Sequence, residues 1–169
     1  MRLHIGGTEK RVGWYIVDIQ NRPEVDHVAA CTDLSIFDDD SATDIYASHV
    51  IEHLSYQDEL PSALKEFRRV LKPGGKLRIG VPDLAVLCRL FIAPELDAQT
   101  RYHVMRVIMG GQMDEHDFHK VGLTDEFLTH FLIQAGFTWV QRVSTFHMFS
   151  DCTEIRICDV PISLNVEAR

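Results

Sequence analysis

The nineteen residues from Glu66 to Leu84, EFRRVLKPGGKLRIGVPDL, constrain the fold of this chain more than any other stretch. Upstream and into this stretch, Leu60, Leu64, Phe67 and Leu71 recur at spacings of four, three and four, which places them on one helical face that must pack against something apolar. Ser55 with Asp58 resembles a capping box, but Pro61 would then lie inside the helix, so the spacing predicts a later start with Pro61 in the first turn. Lys72-Pro73-Gly74-Gly75 ends the helix: proline removes a backbone donor, and glycine can take the positive φ of a sharp reversal. The near-continuous apolar run KLRIGV then reads as a strand covered on both faces. A helix that turns straight back into such a strand is half of a parallel β-α-β unit.

The rest of the chain repeats that alternation. LHIGG, WYIVDI, DHVAACTDL and ATDIYASHV read as four earlier strands, and KLRIGV is the fifth. LAVLCRLF and ELDAQTRYHVMRVIM read as helices, with Gly110-Gly111 closing the second, and QMDEHDFHKVG reads as a polar loop. Thr124 caps a helix with Asp125 and Glu126 in its first turn and Gly136 past its end. FTWVQRV and TEIRICDV are expected to be a closing antiparallel pair, leaving residues 161–169 as a loose tail of one domain, 1–169.

Composition narrows the function class. A formal net charge of −8 over 169 residues opposes a nucleic-acid backbone and suits a neutral or cationic small ligand. No apolar run approaches the roughly 18 residues of a membrane span, and MRLHIGGTEK lacks a signal-peptide core, so a cytoplasmic location and no membrane partner are expected. Cys31, Cys88, Cys152 and Cys158 form neither a Cys-x-x-Cys pair nor a regular framework, so reduced thiols are expected.

TDIYASHVIEHL followed by EFRRVLKPGGKLRIGVPDL, and then LTDEFLTHFLIQAGFTWVQRV, resembles the class I S-adenosylmethionine-dependent methyltransferases, in particular small bacterial members. The resemblance runs from about Leu3 to Val160. It implies an α/β, Rossmann-like three-layer sandwich with a mainly parallel seven-stranded sheet whose last strand is antiparallel. It also implies S-adenosylmethionine as cofactor, lying across the strand carboxyl ends where open α/β sheets form their crevice. By position, Gly6 and Gly7 would approach the methionine moiety, and Asp18 would accept hydrogen bonds from the ribose. Asp33 and Leu34 would meet the adenine, and Ser48 and His49 would line the methyl-donor end. Asp18 also suits a strand-end turn cap, and the TDLS setting of Asp33 is ordinary turn composition.

The chain departs from the family in one place. Asp18 follows Gly6 by only twelve positions, which leaves no room for a crossover helix, so a bare-loop first crossover is expected. The chain also begins within its first strand, so a partner subunit or the loop from Gly110 to Gly122 would have to close the site, and a homodimer is one way to do so.

Methyl transfer from a sulfonium mainly requires alignment and exclusion of water, with a base only for a hydroxyl acceptor. His49, His53, Asp83 and His119 are the catalytic candidates, with His116 close by. Backbone hydrogen bonding at a helix start is the competing reading of His49 and His53, and Glu52 is read as facing a structural partner or solvent. DEHDFHK has metal-binding residue types in His116, His119, Asp114, Glu115 and Asp117, but no distant third ligand has an evident spacing, so no metal is expected. Trp14 and Trp139 are read as core. The function expected is methyl transfer to a small-molecule or sugar-like acceptor. The alternative is a reduced, methyltransferase-like binding or assembly module, motivated by the short glycine loop. A third reading, a nicotinamide-dependent oxidoreductase, needs Gly-x-Gly-x-x-Gly after the first strand, and GGTEKR does not supply it.

Overall fold

The structure, a computed structural model, describes all of residues 1–169. In chain order the strands and helices are β1 (Arg2–Ile5), β2 (Tyr15–Asp18), β3 (His27–Val28), β4 (Ala42–Ser48), α1 (Glu59–Val70), β5 (Leu71–Pro82), α2 (Leu84–Ile92), α3 (Ala98–Met109), α4 (Asp125–Gln134), β6 (Val140–Val143), β7 (Arg156–Ile157), β8 (Val160–Pro161) and β9 (Ser163–Ala168). Short 3₁₀ turns lie at Ile51–His53 and Cys152–Glu154. No helix is long and apolar enough to cross a membrane.

Seven strands form one sheet in the order β3-β2-β1-β4-β5-β9-β6, parallel except for β9, which runs antiparallel to both of its neighbours. Strand order reverses at β1, whose neighbours are β2 on one side and β4 on the other, so the crevice opens at the carboxyl ends of these three strands. The first crossover is a bare loop: β1 and β2 pair in parallel, Ile5 opposite Val17, with no helix between them.

α1 follows its sequence pattern, and Pro61 lies in its first turn, where a missing donor costs nothing. Leu60, Ala63, Leu64 and Phe67 are fully buried against alternate residues of β1, β4 and β5. After Val70 the chain enters β5 at once; Lys72 to Gly75 bulge out of the ladder between the pairs Ala42–Leu71 and Asp44–Lys76. A side chain at Gly75 would stand 2.9 Å from the Lys72 carbonyl, so the bulge closes only around glycine.

The opposite face of β1 and β4 is where the crossover helix between β1 and β2 would pack, by the right-handed rule. Here an aromatic layer covers it. Phe149, from the connection after β6, lies 4.1 Å from the ring of His4 and 4.9 Å from that of Tyr46, with Trp14 packed edge-on at 5.4 Å. The Tyr46 hydroxyl donates to Asp151 at 2.6 Å and ties the segment down. The helix lost from the first crossover is thus replaced by residues more than a hundred positions away.

Two expectations for the C-terminus are corrected. Residues 161–169 are not a tail: Ser163–Ala168 form β9, buried between β5 and β6. The segment TEIRICDV is not the partner of β6; it supplies a 3₁₀ turn and the small β7-β8 hairpin. Thr153 in that turn packs on Gly80, where an added Cβ would approach it to 2.6 Å, and its carbonyl accepts from Asn165 at 2.9 Å. DHVAACTDL is also mostly loop, with only His27–Val28 paired.

Candidate active site

A cavity of about 520 Å³ opens over the carboxyl ends of β1, β2, β3 and β4, within the range of about 300–1,000 Å³ usual for small-ligand sites. Its floor is Ile5, Gly6 and Val17. Gly6 has φ +69° and donates to the Val17 carbonyl at 2.8 Å, and a Cβ there would meet Val50 at 2.5 Å. Only glycine lets β1 turn away while Val50 closes over it. Gly7 is buried against the ring of His4 and does not line the cavity.

Asp18 lies on the cavity wall at the end of β2 with both oxygens engaged. Oδ1 accepts from the Gln20 backbone at 2.7 Å, and Oδ2 accepts from Arg22 at 2.9 Å. The same Arg22 nitrogen donates to the Gly7 carbonyl at 3.0 Å, clamping the β1 and β2 tips together in place of a helix. The turn-capping reading of Asp18 is therefore present in the structure, and each oxygen keeps a second lone pair for a ligand.

The adenine expectation shifts along the chain. Leu34 is fully buried in the core, and Asp33 accepts from the Ser35 backbone within its own turn, away from the cavity. Ala29 to Thr32 line the cavity instead. Glu66 and Arg69 of α1 hold this loop, Glu66 accepting from the Leu34 backbone at 2.8 Å and Arg69 donating to the Leu34 and Phe37 carbonyls. The Cys31 thiol, pushed up to about 12 by burial, is no nucleophile at neutral pH.

His49 and His53 border the cavity, whereas Ser48 does not. His49 takes φ +54°, uncommon for a side chain of its size, and its backbone donates to the Gly80 carbonyl at 2.8 Å. Its ring contacts the Ser163 hydroxyl at 3.2 Å and stands 3.3 Å from Glu52. His53 Nδ1 faces the Phe118 carbonyl at 3.2 Å, and its ring meets that of His119 at 4.8 Å. Burial lowers the pKa of His119 below its usual value, although Glu52 pulls the other way. Residues 114–117 and Lys120 form the remaining wall, so the loop after α3 does border the site.

Asp83 lies apart from this group. It is 2% exposed, accepts from the Ala85 and Val86 backbone at 3.1 and 3.2 Å as the cap of α2, and binds Arg142 at 2.8 Å. Its carboxylate holds α2 and β6 and does not line the cavity, so the catalytic expectation for it is dropped. Two further residues are central: Arg22, which no motif marks, and Glu52, for which no ligand role was expected. Glu52 is 1% exposed rather than solvent-facing. Its position three residues after His49 was the available signal.

The cavity carries the carboxylates of Asp18, Glu59, Asp114, Glu115 and Asp117 against only Arg22 and Lys120. Both cations are already paired, with Asp18 and with Glu59. The field therefore favours a cationic ligand.

Comparison with known proteins agrees with this geometry. Residues 16–79, under half of the chain, match the family described as "Methyltransferase domain". Among solved structures, the CurJ carbon methyltransferase superposes with a TM-score of 0.61 at 16% identity, over 99% of this chain and 47% of that one. The chain has the class I methyltransferase fold. A possible histamine N-methyltransferase from Thermotoga maritima (TM-score 0.58, 18% identity, 99% of this chain and 80% of that one) and an S-adenosylmethionine-dependent methyltransferase from Archaeoglobus fulgidus (0.60, 18%, 99% and 84%) share that fold. Against the first two structures matched, this methyltransferase-fold chain spans only 47% and 61% of their lengths. No curated protein matches it in sequence.

Proposed function

We propose that the chain is an S-adenosylmethionine-dependent methyltransferase acting on a small-molecule or sugar-like acceptor. The acidic cavity at the strand-order reversal carries this reading, because its position, volume and charge all fit an adenosyl sulfonium. Bound there, S-adenosylmethionine supplies an electrophilic methyl group. Gly6 would give close backbone approach, the free lone pairs of Asp18 would accept from a ribose diol, and Ala29 to Thr32 would border the adenine. His49 and His53 mark the acceptor end, where the His49 imidazole is placed to take a proton from an acceptor hydroxyl. The loop at 114–117 excludes water from that end.

Calorimetric titration with S-adenosylhomocysteine tests the reading. Binding is expected at one site, weakened about 10- to 100-fold in Asp18→Ala by loss of charged hydrogen bonds. Absence of binding to the folded wild type would overturn it. The Asp18–Arg22 pair favours a second reading, a binding module without turnover, since a ligand must share or displace that contact. Cofactor binding without methylation of any acceptor in a broad panel would favour that module.

A further inference from the structure

We propose that Glu52, His53 and His119 form a binding site for a divalent transition metal such as zinc, with one coordination position open to the cavity. One donor atom from each lies within 4.8 Å of the others, and the Glu52 carboxylate is 3.9 Å from His119 Nε2. Zinc bonds of about 2.0–2.2 Å in a tetrahedron set donors about 3.4 Å apart, so the side chains need to close by up to about 1.4 Å.

Three observations lift this above a chance cluster. Glu52 is buried, and neither of its carboxylate oxygens has a hydrogen-bond partner. A buried carboxylate left so is costly unless a cation meets it. His49 Nδ1, at 3.3 Å, is near but makes no hydrogen bond to it. Next, His53 Nδ1 faces the Phe118 carbonyl, which holds the ring proton there and leaves Nε2 free as a ligand, an arrangement common for metal-bound histidine. Finally, the two ligand segments are fastened to each other: the Glu52 carbonyl accepts from the Lys120 and Val121 backbone at 2.8 and 3.2 Å. The ligands are thereby held together by the fold rather than by loose side chains.

Two imidazoles and one carboxylate form a donor set suited to zinc with an open position. His53 lines the cavity, so that position faces it and takes water or an oxygen or nitrogen of a bound small molecule. The site stands on its own residues and does not depend on the methyl-transfer reading.

The metal-stripped full chain, titrated with Zn²⁺ against a chromophoric chelator and separately with Co²⁺, is expected to bind one equivalent and to give the visible absorption of a low-coordinate Co²⁺ site. Glu52→Gln and His119→Ala should each weaken binding at least about 100-fold, while His103→Ala, an exposed residue of α3 outside the cavity, leaves it within about twofold. Circular dichroism establishes that each variant is folded; should the buried substitutions unfold the chain, His53→Ala, nearer the surface, carries the decision. No stoichiometric metal on the folded wild type, or unchanged affinity in folded variants, would overturn the site. S-adenosylhomocysteine titrated in parallel separates the two ideas, because either ligand can bind while the other fails.

Discussion

His4 and Asp83 show how much single residues depend on what surrounds them. His4 is 4% exposed, between Tyr46 and Phe149, and burial lowers its pKa from 6.5 to about 4. The fold therefore favours the neutral ring. Its contribution is complete above pH 6.5 and is lost as pH falls from 6.5 towards 4, on the order of 3 kcal/mol in all. Urea denaturation across that range should show stability falling with acid, with a shallower fall in His4→Phe; an equal fall in both would locate the effect elsewhere. Asp83→Ala removes a helix cap and orphans Arg142, and is expected to cost about 2 kcal/mol. S-adenosylhomocysteine affinity should stay unchanged, because Asp83 does not reach the cavity. In the sequence Asp83 looked like an acceptor-side residue because it ends a strand. Its pairing with Arg142, 59 positions on, is invisible there.

At the scale of elements, β9 and the aromatic segment carry more than their sequences suggest. PISLNVEAR has a modest apolar pattern, yet Leu164, Val166 and Ala168 enter the main core while Asn165 anchors the Cys152–Glu154 turn. Deleting residues 163–169 leaves β5 and β6 without the strand between them, and the truncated chain is expected to lose cooperative thermal unfolding or to aggregate. A truncated chain melting as sharply as the full one would contradict the assignment. α1 and the Lys72 to Gly75 stop were readable locally, since periodicity, proline and glycine act within a few residues. The choice between TEIRICDV and PISLNVEAR as the partner of β6 was not, because both are short and apolar. What decided it was which could fill the space between β5 and β6.

The whole molecule sets the ligand. Strand order reversal places Gly6, Asp18 and His49 around one acidic cavity, although they come from three separate strand ends. If S-adenosylhomocysteine fills it, free ligand at about 100 times its dissociation constant adds about 2.7 kcal/mol of stability. For a chain of this size that is a rise in melting temperature of about 5–10 °C. Differential scanning fluorimetry should show that shift, and a flat response at saturating ligand would count against the proposed cofactor.

Local signals in the sequence were enough for the alternation of strands and helices, the α1 boundary and the bare first crossover, because each depends on spacing or on steric limits of nearby backbone. Only the tertiary structure decided that Arg22 engages Asp18, that Phe149 takes the place of a helix, and that Glu52 lies buried beside His53 and His119. Those contacts join residues by packing across the sheet and between loops, and packing leaves no period in the chain.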